Sequence, residues 1–330
     1  MMSMKALVIG YGSIGKRHIE NLTNHSKIQC IVLSQRKNDS FLKNNNCILV
    51  NSLKDGISQK PNFAVISNET HLHLKTAMKL AESKIPFFIE KPISNNLKNI
   101  ENLIHIIKKN KIITLVGCNL RFHPCLIEAK KIILKPKFGK IISVQTQNSS
   151  YLPDWHPNED YSKSYSAQKN SGGIVFTCIH EIDYLFWLFG KVSFISSYIG
   201  KFSNLKIETD DLAEIILKFK NQIICNLHLD FNQKSPIRFC RIIGTKGILH
   251  LNFLNSELSF FDYKTNKWKI LLNLKKYNSN SMYVDELNHF VDCIIKNKKS
   301  TNPVTENYEI LKVADAIQKS SKNKKMVLMK

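Results

Sequence analysis

"MKALVIGYGSIGKRHIENL", residues 4–22, decides how the chain begins to fold. Ala6-Leu7-Val8-Ile9 is a short apolar run with β-branched side chains, as in a buried strand. Gly10, Gly12 and Gly15 follow in G-x-G-x-x-G spacing, and Lys16–Leu22 has helical character. In that order a nucleotide cradle forms: Gly10 makes the turn, Gly12 lets the backbone approach a pyrophosphate, and Gly15 permits close helix packing. The N–H groups of the helix start attract the anion. A glycine-rich turn without a ligand is the plainer alternative, and the strand before and helix after favour binding. The contacts expected here are Gly10, Gly12, Ser13, Ile14 and Gly15.

Outward from this stretch, strands and helices alternate. Ile28–Lys37 reads as a second strand. "NFAVIS" is another, leading into a helix over His71–Ser83, and "IPFFIEKPIS" is a strand that ends at Glu90-Lys91-Pro92. "NLKNIENLIHIIKKN" has helical spacing, and "IITLVGCNLRF" is a strand again. This rhythm predicts a doubly wound parallel sheet with right-handed crossovers over residues 1–121, a Rossmann dinucleotide-binding domain. The texture changes after Pro124. A helix over Cys125–Leu134 is followed by closely spaced segments of period two, such as "KIISVQTQNSS", "LAEIILKF" and "QIICNLHLDFN". One helix over Gly173–Phe189 interrupts them, and helices around Val284–Lys296 and Asn307–Ser320 close the chain. The expected class is α/β, with residues 122–330 forming an α+β domain on a large, mostly antiparallel open sheet, for substrate binding and oligomerisation.

With 330 residues, 43% of them hydrophobic, the chain has enough material for two such domains. No apolar stretch approaches the ~18 residues of a membrane helix, and no leader peptide is evident, which predicts a cytoplasmic protein away from membranes. The eight cysteines are scattered without a C-x-x-C pair, so neither a disulfide scaffold nor a metal site is expected. A net charge of +22 raises the question of nucleic acid. Its lysines are spread along the chain, and no DNA- or RNA-reading motif accompanies them, so no nucleic-acid partner is expected.

In NAD-binding versions of this fold an acidic residue after the second strand accepts from the ribose 2′-hydroxyl. Ser34-Gln35-Arg36-Lys37 stands there instead. Ser34 can donate to a 2′-phosphate and Arg36 can fork onto it, so NADP(H) is preferred, with NAD(H) as second choice. A merely solvated Arg36-Lys37 loop is the alternative. Ligands bind at the carboxyl ends of strands in open α/β sheets, which singles out Ser67 and Asn68, Glu90-Lys91-Pro92, and Asn119 with Arg121.

The GYGSIGKRH start, "SNETHLH" after a strand, the "EKP" motif, "GCNLRFHP" and "GGIVFTCIHEIDYLFWLFG" occur in this order along essentially the whole chain. In order and spacing they resemble the Gfo/Idh/MocA oxidoreductase family. The resemblance implies that Ser67, Asn68, His73, Glu90 and Lys91 belong to the cofactor site, and that Lys91 stands near the nicotinamide and the reacting carbon of a sugar, sugar nucleotide or related polyol. Hydride transfer from an alcohol needs the hydroxyl proton removed, which a lysine can do; a surface lysine is the alternative. The family's second-domain histidine matches His180, implied as a neighbour of Lys91 that relays protons or binds a substrate hydroxyl. By itself, a histidine on that apolar helix would more often be a core residue. Asp183, at i+3, could orient it.

Relatives carry an aspartate three or four residues before this histidine, where this chain has Thr177 and Phe176. Threonine can bond a sugar hydroxyl but takes up no proton, which leaves a non-catalytic cofactor-binding protein, or a reductase of another carbonyl or imine, as rival readings. Arg121 is expected either to pair with a substrate anion or to form an interdomain salt bridge. The long polar loop Tyr151–Gly172 resembles the substrate-facing loop of members tied to bacterial surface-sugar synthesis. Trp155, His156 and Tyr161 offer sugars flat faces and hydrogen bonds, unless they only pack the loop. His228 and Asp230 share one strand face and are assigned no role. An open sheet face commonly packs against its twin, so a homodimer or homotetramer is expected.

Overall fold

The computed structural model describes residues 4–24, 28–35, 39–155, 157–169 and 172–329. Two compact units emerge, one made of the chain up to Asn119 together with Ser279–Leu311, the other of Leu120–Asn278 together with the chain from Lys312 onward. The expected cut between 121 and 122 lies close to the first crossing but misses the return of 279–311.

The first unit is built on six parallel strands, β1 (Met4–Ile9), β2 (Ile28–Leu33), β3 (Ile48–Val50), β4 (Phe63–Ile66), β5 (Phe87–Glu90) and β6 (Thr114–Gly117), in the order β3-β2-β1-β4-β5-β6. Both faces are buried, so the strands are apolar at successive positions rather than alternate ones. Helices α1 (Ser13–Thr23), α2 (Ser40–Asn44), α3 (Leu53–Ser58), α4 (Thr70–Glu82) and α5 (Ile100–Asn110) connect them. Leu7, Ile66, Phe87 and Val116 pack with the buried side chains of α4 and α5 on one face, while Val8, Val32, Val65 and Leu115 pack with those of α1 on the other. The second strand stops at Leu33, short of the predicted Lys37.

What brings 279–311 back is partly apolar and partly polar. Phe290, on helix α9 (Asn280–Ile295), sets its ring edge-on against Phe63 and Phe88 at centroid distances of 5.7 and 6.2 Å. Asn302 then extends the sheet, its carbonyl accepting from the Val116 N–H at 2.9 Å and its side chain donating to the Val116 carbonyl at 3.1 Å. Neither link has a periodic signature in sequence.

In the second unit a nine-stranded sheet runs β14-β13-β12-β11-β7-β10-β9-β8-β15. Its strands are β7 (Ile141–Ser149), β8 (Val192–Gly200), β9 (Leu212–Phe219), β10 (Ile224–Asp230), β11 (Ile237–Gly244), β12 (Gly247–Asn252), β13 (Glu257–Asp262), β14 (Lys267–Asn273) and β15 (Val327–Leu328). Every neighbouring pair is antiparallel except β7 with β10. Alternation sorts the faces: Val144, Ile215, Leu217, Leu227 and Leu249 are buried, whereas Ile216 and Ile224 are half exposed on the other face, at 50% and 51%. Three helices accompany the sheet, α6 (Pro124–Ile133), α7 (Ile174–Thr177) and α8 (Ile179–Phe189). The single helix expected over Gly173–Phe189 is thus two, broken at Cys178, whose φ and ψ of −94° and 29° leave the helical region. Apolar residues flank the break on both sides, so the pattern runs through it unmarked. The last helix, α10 (Val304–Asn323), passes from one unit to the other; in the second, Ser320 and Ser321 accept from the Ser197 and Ile199 N–H groups. Among the described residues no helix is long and apolar enough to cross a membrane.

Candidate active site

The glycine turn answers to both structure and ligand. Gly10 has φ of +106°, and a Cβ there would fall 2.3 Å from the Asn68 nitrogen; a Cβ on Gly15 would fall 2.1 Å from the Gly10 carbonyl oxygen. These two glycines let α1 and the turn after β4 close on β1. At Gly12, by contrast, no atom of the described residues beyond its chain neighbours lies within 4 Å of where a Cβ would be. Gly12 is also the N-cap of α1, which has no side-chain cap and no acid in its first turn. An exposed helix start with room above it is what a dinucleotide's pyrophosphate requires, so the residues present fit the cofactor.

Ser67 and Asn68 leave β4 beside this turn. The Ser67 N–H donates to the Ile9 carbonyl at 2.8 Å, and its hydroxyl lies 3.1 Å from the Gly10 carbonyl. Ser34 follows β2, with its N–H bonded to the Val50 carbonyl at 3.3 Å. Arg36 lies outside the described residues, as does His156. A carboxylate that sequence reasoning passed over does stand near: Asp39 caps α2 through the Phe41 and Leu42 N–H groups at 2.9 and 3.4 Å. The Tyr11 hydroxyl, foremost, and these N–H groups hold its carboxyl below the ordinary range. Its signal was the Asx–helix cap itself, misplaced by the assumption that the strand reached Lys37.

After β5, Glu90 is gripped at both oxygens. Its Oε1 accepts from His18 Nε2 at 2.7 Å and its Oε2 faces the Lys91 N–H at 3.3 Å. The Lys91–Pro92 peptide is cis. His73 was expected to touch the cofactor, but it is 1% exposed and its ring meets only backbone among the bonds described: Nδ1 lies 2.9 Å from the Pro92 carbonyl and Nε2 2.9 Å from that of Asn68. Burial pushes its pKa down, against those bonds and the fields of Glu90 and Glu69. Tyr283 on α9 also joins this group, with the Arg17 guanidinium 4.6 Å from its ring centre. Burial, then Glu90, raises the Tyr283 phenol, and Arg17 and Lys91 pull it down. No local motif could reveal Tyr283, which arrives only with the returning helix. Asn119, two residues past β6, is buried.

In the second unit, the break at Cys178 puts His180 in the first turn of α8, with Thr177 buried at the end of α7. The Asp210 carboxylate accepts from the Ile174 N–H at 2.6 Å and so caps α7; burial raises its pKa. Asp183, expected beside His180, meets a partner from outside the helix. Its two oxygens take a fork from Arg121, Nε to Oδ2 at 2.9 Å and Nη2 to Oδ1 at 2.8 Å, with both side chains at 1% exposure or less. The fork spends Arg121 Nε and Nη2 on a carboxylate of its own unit. Glu181 is similarly held by Arg238, at 2.8 Å from Nε and 2.6 Å from Nη2. Burial alone would lower the Arg238 pKa, but the Glu181 charge raises it. One buried fork at Asp183, and a second, partly exposed ion pair in which both Arg238 nitrogens meet Glu181 Oε1, thus hold the helix that carries His180.

Trp155 and Tyr161 bond to residues outside their loop. The indole N–H donates to Ser150 Oγ at 2.8 Å and its ring stands edge-on to Phe231 at 5.5 Å, while the Tyr161 hydroxyl accepts from the Lys206 N–H at 3.2 Å. The indole donor is thus engaged, while the Tyr161 hydroxyl serves here as an acceptor.

On the open sheet face, His228 sits between two carboxylates, Nδ1 at 2.6 Å from Glu214 and Nε2 at 2.7 Å from Asp230. The Asp230 bond, foremost, raises its pKa; for Asp230, burial pushes up but the bonds from His228, Ser149, Asn232 and Gln233 win and lower it. A histidine with a raised folded pKa stabilises fully below its unfolded value of about 6.5 and loses that contribution as pH rises through the folded value. Replacement of His228 by glutamine is therefore expected to lower Tm most near pH 6, with the gap narrowing toward pH 9; a gap of constant size across thermal scans would refute the charged pairing.

Residues 4–118 match the family model for the oxidoreductase family's NAD-binding Rossmann fold, and residues 130–329 match that for its C-terminal alpha/beta domain. The chain is 25% identical over 319 residues to a myo-inositol 2-dehydrogenase of Thermotoga maritima, covering 91% of this chain and 90% of that protein. It is 23% identical over 259 residues to a 2,7-anhydro-N-acetylneuraminate hydratase of Escherichia coli strain K12, covering 76% and 68%. Its fold superposes on that of a levoglucosan dehydrogenase solved with NADH, at a TM-score of 0.90 and 17% identity, over 99% of each chain. With the glycine turn, the parallel sheet and the open antiparallel sheet all matched in order, the chain belongs to the Gfo/Idh/MocA oxidoreductase family.

Proposed function

We propose that this protein transfers a hydride between a nicotinamide dinucleotide and a carbon of a sugar, sugar nucleotide or related polyol, with Lys91 as the acid/base and His180 assisting. The observation that carries the reading is the uncapped start of α1, with open space over Gly12, on the same sheet end as Lys91. The bound dinucleotide supplies or accepts the hydride. Lys91 takes the proton from the substrate hydroxyl in oxidation and returns it in reduction. His180 holds a substrate hydroxyl or passes the proton on, on a helix tied by a buried ion pair at Asp183 and a partly exposed one at Glu181. Relatives named as acting on inositol and levoglucosan support a polyol or sugar substrate.

NADP(H) is the preferred cofactor in this reading, with NAD(H) second. The support is the sequence Ser34-Gln35-Arg36-Lys37 and the engagement of Asp39 in capping α2, which leaves that carboxylate pointed at backbone rather than at a ribose. Arg36→Ala is expected to weaken NADPH binding about tenfold or more while sparing NADH, the loss of one forked phosphate contact. Equal weakening of both, or of neither, in a fluorescence titration sinks the assignment. The whole reading is tested by titrating the purified protein with NADPH and NADH and searching it by mass spectrometry for a co-purified sugar; absence of binding to either nucleotide overturns it. Binding without turnover on any polyol would instead favour a non-catalytic protein, the reading that Thr177 and Phe176 keep in play.

We also propose a homodimer or homotetramer formed through the open sheet face. Ile142, Tyr198, Ile216, Ile224, Trp268 and Ile270 are all exposed in the single chain, more large apolar side chains than one sheet commonly leaves to water. Sedimentation at micromolar concentration decides between this and a monomer.

A further inference from the structure

Two histidines that the proposed chemistry does not use converge on one turn. His18 comes from α1, whose buried residues pack on one face of the parallel sheet, and His73 from α4, whose residues pack on the other. His18 is fully buried, edge-on to Phe88 at 5.0 Å, and holds the Glu90 carboxylate; His73 holds the Pro92 carbonyl. Lys91 is the residue between them. His73 also reaches the Asn68 carbonyl with its second nitrogen, so one ring joins the turn after β4 to the turn after β5.

Neither imidazole is a cheap way to fill space. His18 Nδ1 is buried with no hydrogen-bond partner among the described residues, a cost that an apolar side chain of similar size would not incur. His73 faces two carbonyl oxygens, which only accept, so its neutral ring satisfies one of them and only the doubly protonated ring satisfies both. Polar side chains kept at such cost are explained by the groups they hold.

We propose that His18 and His73 are positioning residues that clamp the Glu90–Pro92 turn from opposite faces of the sheet and thereby set where Lys91 stands relative to the turns that receive the dinucleotide. The proposal rests on the reading of Lys91 as the acid/base for its consequence in turnover, but not for the clamp itself. Glu90 acts as the handle, because one oxygen takes the His18 proton donor and the other faces the Lys91 N–H. Loss of either histidine removes one of the two side-chain ties that reach the turn from opposite faces.

The test compares His18→Leu, His73→Leu and the corresponding glutamine variants, whose amide N–H groups can still donate. Hydrogen–deuterium exchange of a peptide spanning residues 87–97 is expected to speed up about tenfold in each leucine variant, with β1 and β2 altered less than about twofold. Titrations with NADH and NADPH should give Kd values within about threefold of the parent, while kcat on myo-inositol or another accepted polyol falls about tenfold or more at little-changed KM for the dinucleotide. Glutamine should restore most of both. Unchanged exchange in 87–97, or faster exchange spread evenly over the whole sheet, overturns the clamp and returns the histidines to general packing. Should Lys91→Ala retain full turnover, the acid/base reading fails, yet the exchange measurement still decides the clamp.

Discussion

Replacement of Lys91 by alanine is expected to reduce kcat by roughly 10²–10⁴-fold, the usual contribution of a positioned general acid or base, or about 3–5 kcal/mol of barrier. Dinucleotide binding should survive in the proposed reading, in which the pyrophosphate rests on the start of α1 and the space over Gly12 while Lys91 serves the chemical step. The pairing of a large fall in kcat with Kd for NADPH or NADH changed less than about threefold marks removal of a group that acts only in the chemical step. A loss smaller than about tenfold in steady-state assays with an accepted polyol would show that another group moves the proton, and Lys91 would become a binding residue. Partial recovery by added methylamine would strengthen the assignment, since a free amine restores the missing base without restoring any packing.

The largest effect on stability is expected from Asp183→Ala. Arg121 and Asp183 form a forked pair with almost no exposure, and removal of one partner strips a buried charge of its countercharge, which costs about 3–5 kcal/mol. For a unit of this size that corresponds to a fall in Tm on the order of 10 °C. Desolvation is charged to both ions in the native pair, so replacing the two together, as Arg121→Met with Asp183→Leu, should recover most of the loss. A double variant no more stable than Asp183→Ala in calorimetric scans would show that shape rather than charge is what the pair provides. The experiment also bears on function: α8 carries His180, and the double variant tests whether apolar packing keeps that helix in place as well as the fork does.

How much of this was legible beforehand differs from residue to residue. The G-x-G-x-x-G turn, the ends of β4 and β5, and the alternation in β9 and β10 are local, and each was read correctly in kind. Asp183 shows the limit. Helical spacing placed it on the face of His180, which is true of the spacing, but which partner it takes depends on a guanidinium 62 positions earlier in the chain. Trp155 and Tyr161 show the same limit: a loop's aromatic and polar residues look alike in sequence whatever they meet, and their bonds to Ser150 and Lys206 had no local signature. The break at Cys178 was missed because apolar side chains continue through it, and the return of 279–311 because its ties are a few ring contacts and the bonds of Asn302 to Val116.

The sequence by itself determined the class of fold, the order of its elements and the glycine turn between β1 and α1, because strand and helix periodicities and a glycine's freedom are properties of short stretches in which neighbours along the chain are neighbours in space. Tertiary structure alone decided which polar and charged groups pair with each other. Arg121 with Asp183, Arg238 with Glu181, and His18 with Glu90 are pairs whose members lie 57 to 72 residues apart. Once buried, such groups must find a partner or bear the cost of desolvation, and that choice is made by packing, which no local pattern records.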